Sequence, residues 1–165
     1  MNAPERRSLE AAFHHAGHAV AAHLSKYHAL ALPLRLDAWG GGEVTAALSR
    51  RKLVAADKVA TAAARVDPEV AESIALILCA GLASERLAAE RRAPVTPDPA
   101  RSAGDFEMAR AELRGAGLPD DTGPHEISAA ALLALHWQRV AAVAERLVVV
   151  EELSPTEIAA LLEPD

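Results

Sequence analysis

Residues Phe13 to Val20 read FHHAGHAV, inside the longer run SLEAAFHHAGHAVAAHL from Ser8 to Leu24. Leu9, Phe13, Ala16, Val20 and Leu24 recur at steps of three and four. That spacing predicts a helix from about Pro4 or Ser8 to Ser25, with one apolar stripe. Pro4 suits an early helical position, and Ser8 would cap a later start. On such a helix His14 and His18 project from one face a turn apart, so two imidazoles can grip one ion. Gly17 between them keeps the helix thin and lets another backbone or a substrate come close. Two ligands hold zinc poorly, so a third must arrive from elsewhere. The competing reading is an ordinary helix rich in histidine, since the chain has seven and a chance pair four apart is not rare. On that reading nothing is bound. His23, His28, His125 and His136 are expected to satisfy local hydrogen bonds or face solvent.

Working outward, LALPLRLDAW and EVTAALS, separated by Gly40, Gly41 and Gly42, read as two short strands around a glycine turn. Lys52 to Arg65 is expected to be helical. Asp67-Pro68-Glu69 starts a long helix through about Ala89, whose middle, AESIALILCAGLASERL, is apolar on nearly every side and should be the most buried helix. RRAPVTPDPARS holds three prolines and marks a loop. Ser102 or Asp105 opens a further helix to about Arg114. GAGLPDDTGP breaks the chain again, and His125 to Glu152 reads as one long helix. Ser154-Pro155-Thr156-Glu157 carries the serine, proline and glutamate of a capped final helix.

The 165 residues suit one domain, spanning 1–165, with a core large enough to need no disulfide. Apolar residues make up 51% and aromatics only 3%, so Ala, Leu and Val must build that core, which favours close-packed helices. The expected fold is mainly α: a single compact helical domain with a small two- to three-stranded β element. A net charge of −6 with no basic block argues against a nucleic-acid surface or an anionic-membrane surface. Cys79 is the only cysteine, so no intrachain disulfide is possible, and within SIALILCAGLAS it reads as a buried, inert thiol. No apolar segment follows the charged N-terminus, and the run from Ser73 to Ser84 is too short to span a bilayer. A soluble, cytoplasmic chain without membrane insertion is expected.

At this point the sequence resembles a family. FHHAGHAV is similar to the His-Glu-Ala-Gly-His helix of the FtsH-type zinc peptidase domain, the proteolytic half of membrane-bound AAA proteases. GGGEVTAALSR resembles that family's glycine-preceded Val-Thr strand, and CAGLASERL its Gly-Gly-Arg-Ala-Ala-Glu-Glu-Leu helix. SAGDFEMAR resembles its Gly-Ala-Ser-Asn-Asp segment, and LALHWQRVAAVAERLVVVEELSPTEIAALL its closing helices. The pieces occur in the family's order and cover nearly all of residues 8 to 163. The resemblance implies an FtsH peptidase-domain-like fold, zinc as cofactor, and His14, His18 and Asp105 as its ligands. Read without it, Asp105 is a first-turn carboxylate three residues after Ser102, a helix-start residue. Glu85 matches a family glutamate in position; here it reads as the solvated or capping end of a buried helix.

Residue 15 departs from the family. In a His-Glu-x-x-His peptidase the metal polarises the scissile carbonyl and the glutamate takes a proton from water. Here that position is His15. It has three options: to act as the base itself, to swing onto the metal as a closed, structural site's fourth ligand, or to point away and pack. Losing a positioned base removes on the order of a hundred- to ten-thousandfold of rate. No Gly-x-x-x-x-Gly-Lys-Ser/Thr loop occurs either, so ATP-driven unfolding would need a partner. The leading expectation is a stand-alone domain that binds zinc, hydrolyses weakly or not at all, and binds a peptide, an unfolded protein or a protein partner. An active ATP-independent metallopeptidase using His15 is the first alternative, and a metal-free helical interaction domain the second. Family members assemble as rings, which makes a homo-oligomer compatible with each.

Overall fold

A computed structural model of the chain describes residues 3–37 and 46–163. Helix α1 (Ala3–Leu24) leads into strand β1 (His28–Leu30), β2 (Leu34–Arg35), β3 (Ala46–Leu48) and the short helix α2 (Arg50–Ala55). After a 3₁₀ turn (Ala62–Val66) come α3 (Pro68–Glu90), α4 (Ala103–Gly115), α5 (Gly123–Leu135), α6 (Trp137–Val150), β4 (Glu152–Leu153) and α7 (Pro155–Leu162). The expected mainly helical fold with a small β element is what forms. Of the two starts offered for the first helix, the earlier holds.

The core is organised around α3. Asp67 accepts from the backbone N–H groups of Glu69 and Val70, and Pro68 at the first helical position has no N–H to leave unpaired. Buried residues run almost without break from Ile77 to Glu85, as expected for a helix with neighbours on several sides. It packs against α1, α4 and α5. Its pairing with α1 is antiparallel: Ser25 meets Ser73, His18 meets Ile77, and His14 meets Glu85.

Two glycines permit this pairing. A Cβ on Gly17 would lie 2.3 Å from the carbonyl oxygen of Ala80, and one on Gly81 would lie 2.6 Å from both His14 Cε1 and His18 Nε2. Neither contact is sterically possible. The small side chains Ala12, Ala16 and Ala19 on α1, with Ala80 and Ala83 on α3, are all buried in the main core cluster. Near the middle of α1, the Phe13 ring stacks on Trp137 with centroids 5.6 Å apart, fixing α6 to the same helix.

The strands depart from expectation. β1 pairs antiparallel with β3, matching His28 to Leu48 and Leu30 to Ala46, so the first ladder starts earlier than LALPLRLDAW. The second part of that stretch, β2, leaves to pair with β4 near the C-terminus, matching Leu34 to Leu153 and Arg35 to Glu152. Pro33 separates the two segments and lacks the N–H that a continuous ladder would need. The Gly40–Gly42 turn lies outside the described residues.

Two expected helices are each divided. Between Lys52 and Arg65, Asp57 takes a φ of 56° after α2 ends, and Thr61 caps the separate 3₁₀ turn. The stretch His125 to Glu152 becomes α5 and α6, bent by 84° at His136. Ala129, Leu133, Val140, Val143, Ala144 and Leu147 are all buried and follow one helical period across the bend. The bend lets α5 face α3 while α6 faces α1, a choice the periodicity does not encode. The final helix keeps its expected capping box between Ser154 and Glu157.

Gly17→Ala should lower the unfolding free energy by about 1–3 kcal/mol through overpacking against Ala80. Urea denaturation should show this as a lower midpoint. A midpoint equal to that of the parent would mean that the helices do not approach this closely.

Candidate metal centre

Helix α1 projects His14 and His18 toward α3, and the loop after α3 returns to deliver Asp105 in the first turn of α4. His14 Nε2 lies 3.3 Å from Asp105 Oδ2, His18 Nε2 lies 3.5 Å from the same oxygen, and the two Nε2 atoms are 3.0 Å apart. All three side chains are largely shielded, at 12%, 8% and 7% exposure. The residues read from the helix and the one implied by the resemblance therefore meet at one point.

Second partners fix the orientation of both imidazoles. His18 Nδ1 donates to the Ile77 carbonyl at 2.7 Å, and a carbonyl only accepts, so the proton sits on Nδ1. His14 Nδ1 donates to Glu85 Oε1 at 2.8 Å. In each ring the neutral form then carries its lone pair on Nε2, and both lone pairs face the Asp105 carboxylate. With both rings neutral, three electron-pair donors converge on one space, an arrangement that can hold a cation among them. Zinc with ligand distances of ~2.0–2.1 Å in tetrahedral geometry places ligand atoms ~3.3 Å apart. The observed edges of 3.0, 3.3 and 3.5 Å bracket that spacing. The donor set thus fits a zinc-sized ion bound on three sides.

Without a metal a proton fills the role. Burial opposes charge on His14, yet hydrogen bonds and attraction from Asp105 and Glu85 outweigh it and raise its pKa to about 9. Asp105 is also opposed by burial, but the two histidines hold its carboxyl well below the usual range.

Glu85 is the residue that the sequence reading misplaced. It is fully buried rather than at a solvated end. One oxygen holds His14, and the other accepts from the backbone N–H of Asp98 at 3.2 Å. Glu85 therefore links His14 to the proline-rich loop that leads into the helix of Asp105. Glu10, also buried, fastens the same loop by accepting from Thr96 N at 3.0 Å and Arg101 Nη1 at 2.7 Å. The available signal was a carboxylate four residues after Gly81 and so on the same face of α3.

His15 is buried and lies edge-on to His14 with ring centroids 5.8 Å apart. It is not among the three residues whose ligand atoms cluster within 4.8 Å of one another. Burial, followed by charge on His14 and His18, pushes its pKa down to about 3. Of the other histidines, His28 is buried, with Nδ1 3.4 Å from Ser73 Oγ, while His23, His125 and His136 are partly exposed. Cys79 is buried as expected, and burial pushes its thiol up to about 12, an inert state. No single helix among the described residues is long and apolar enough to cross a membrane.

No protein-family model matches the chain, and neither a curated protein nor a solved structure matches it.

A metal ion entering this triangle at neutral pH would have to displace the His14 proton, because the raised pKa keeps that imidazole charged until the pH approaches 9. Calorimetric titration in buffers of different ionisation enthalpy should read about one proton released per ion at pH 7.5. Glu85→Gln should weaken zinc binding by roughly 10–100-fold, since it removes the anion that orients His14. Unchanged affinity in a competition assay with a chromogenic chelator would rule out that role.

Proposed function

We propose that this chain binds one zinc ion through His14, His18 and Asp105 and is a divergent relative of FtsH-type peptidase domains with weak or absent hydrolysis. The observation that carries the reading is the triangle of ligand atoms, with both Nδ1 atoms committed to acceptors behind it. Bound zinc supplies Lewis-acid polarisation of a carbonyl group. The chain's own residues decide whether hydrolysis follows. His15 occupies the position of the family's glutamate, and its lowered pKa leaves a neutral imidazole of little basicity. A nearby divalent cation would lower it further. A neutral, buried imidazole also lacks the negative charge that a carboxylate base brings to proton transfer. These points favour the weakly hydrolytic reading over the active one.

A role in holding an extended peptide or a partner segment fits the surroundings. A pocket of about 460 Å³ is lined by Leu48, Leu53, Val70 and Ile74, among others, and includes none of the three ligand residues. Ile74 precedes by about one helical turn Ile77, whose carbonyl orients His18. The pocket is large enough for an apolar side chain. Strand β3 forms part of its wall and offers backbone groups for pairing with an extended chain.

Protein purified without a polyhistidine tag should contain about one zinc per chain, lost in His18→Ala. Absence of metal together with no uptake on titration removes both metal readings and leaves the helical interaction domain. Incubation with casein should show little cleavage, whereas cleavage abolished by a chelator overturns the weakly hydrolytic reading. His15→Glu should gain chelator-sensitive cleavage on the order of a hundredfold over the parent.

A further inference from the structure

We propose that the backbone at the end of α1 forms a monovalent-cation site, which Lys52 fills with its own ammonium group and which potassium or ammonium ion takes over once that side chain is removed. Lys52 Nζ lies 3.2 Å from the carbonyl oxygen of Ala22, 2.9 Å from that of His23, 2.8 Å from that of Ser25 and 2.7 Å from that of His28. Two of these carbonyls belong to the last turn of α1, where helical geometry leaves oxygens without intrahelical partners and where the helix dipole is negative.

The following turn brings in the other two. Ser25 Oγ accepts from the backbone N–H groups of Tyr27 and His28 at 3.1 and 3.0 Å, which folds the chain back on itself. The same hydroxyl meets Ser73 Oγ at 2.9 Å and so anchors the turn to α3. Ser49 N donates to the Tyr27 carbonyl at 2.8 Å, setting α2 at the distance from which Lys52 can reach.

The chemistry of the cage differs from that of an ordinary lysine ion pair. Lys58 takes two carboxylates, Asp67 and Glu69, at 2.9 Å each. Among the described residues Lys52 has four carbonyls and forms no carboxylate ion pair. An ammonium group has three protons for four acceptors, whereas a spherical cation can address all four. Carbonyl oxygens replacing a hydration shell are the usual device for holding a potassium-sized ion. The flanking imidazoles do not compete for the charge. Burial first, and then Lys52 itself, lower the pKa of both His23 and His28, the latter to about 4.

The site also has a structural consequence for the metal centre. It joins the end of the helix bearing His14 and His18 to β1 and α2, adding charge-assisted contacts to the apolar packing of Val20, Ala21 and Ala22 in the core. The cage is separate from the proposed zinc ligands and stands whether or not zinc is bound.

Lys52→Ala should lower the melting temperature by roughly 5–10 °C in sodium or choline chloride, through loss of charge-assisted hydrogen bonds. Potassium or ammonium chloride at equal concentration should restore about half of that loss, increasingly with concentration, as binding to the folded state requires. The parent protein should be indifferent to the choice of cation. Stability of the variant that is blind to the cation, including failure to fold in every salt, overturns the proposal. The unaltered protein gives a second test, because its lysines are Lys26, Lys52 and Lys58 only. Trace acetylation should modify Lys52 at least about tenfold more slowly than exposed Lys26, since its amine is released only by local opening. Equal rates overturn the cage.

Discussion

The close antiparallel contact between α1 and α3 is the constraint on which the rest of the molecule depends. Gly17 admits the Ala80 carbonyl and Gly81 admits the two histidine rings, so the helices meet where larger residues would hold them apart. That approach sets the distance from His18 to the Ile77 carbonyl and from His14 to Glu85. It also explains a core with so few aromatic residues. Alanine-rich faces bury little area per residue but permit short interhelical distances, and close packing recovers dispersion contacts that larger side chains would supply.

The buried polar groups form a connected set. Glu85 serves His14 and the Asp98 backbone, Glu10 serves Thr96 and Arg101, and the loop between α3 and α4 is fastened from both. Burying these groups carries a desolvation cost that only well-placed partners offset. A bound ion at the triangle would complete the set by meeting three lone pairs that otherwise share protons. The tension is visible in the opposite displacement of the His14 and Asp105 pKa values.

Helix α1 is thus held by different physics at successive points along its length. Near its middle the contacts of His14 and His18 and the two glycines fix its face against α3, while Phe13 stacks on Trp137 of α6. At its end, carbonyls of the last turn converge on the Lys52 ammonium. A helix so constrained presents its histidines with little freedom, and preorganisation of that kind is what a metal site needs.

Local rules made much of this legible in the sequence. The Asp67-Pro68-Glu69 start, the capping box at Ser154, the prolines between α3 and α4, and the pairing of His14 with His18 on one face each depend on residues within a few positions of one another. Asp105 stood apart: its own neighbourhood described a helix start, and only an ordered resemblance connected it to the histidines. Tertiary structure alone decided where α5 turns into α6, which strand β2 joins, and that Glu85 lies inside. A bend at His136 leaves the helical period unbroken, a two-residue strand has no pattern of its own, and a carboxylate at a helix end looks solvated until its partners are known. Each of these choices is made by contacts between segments far apart in the chain, whose free energies no local stretch of sequence contains.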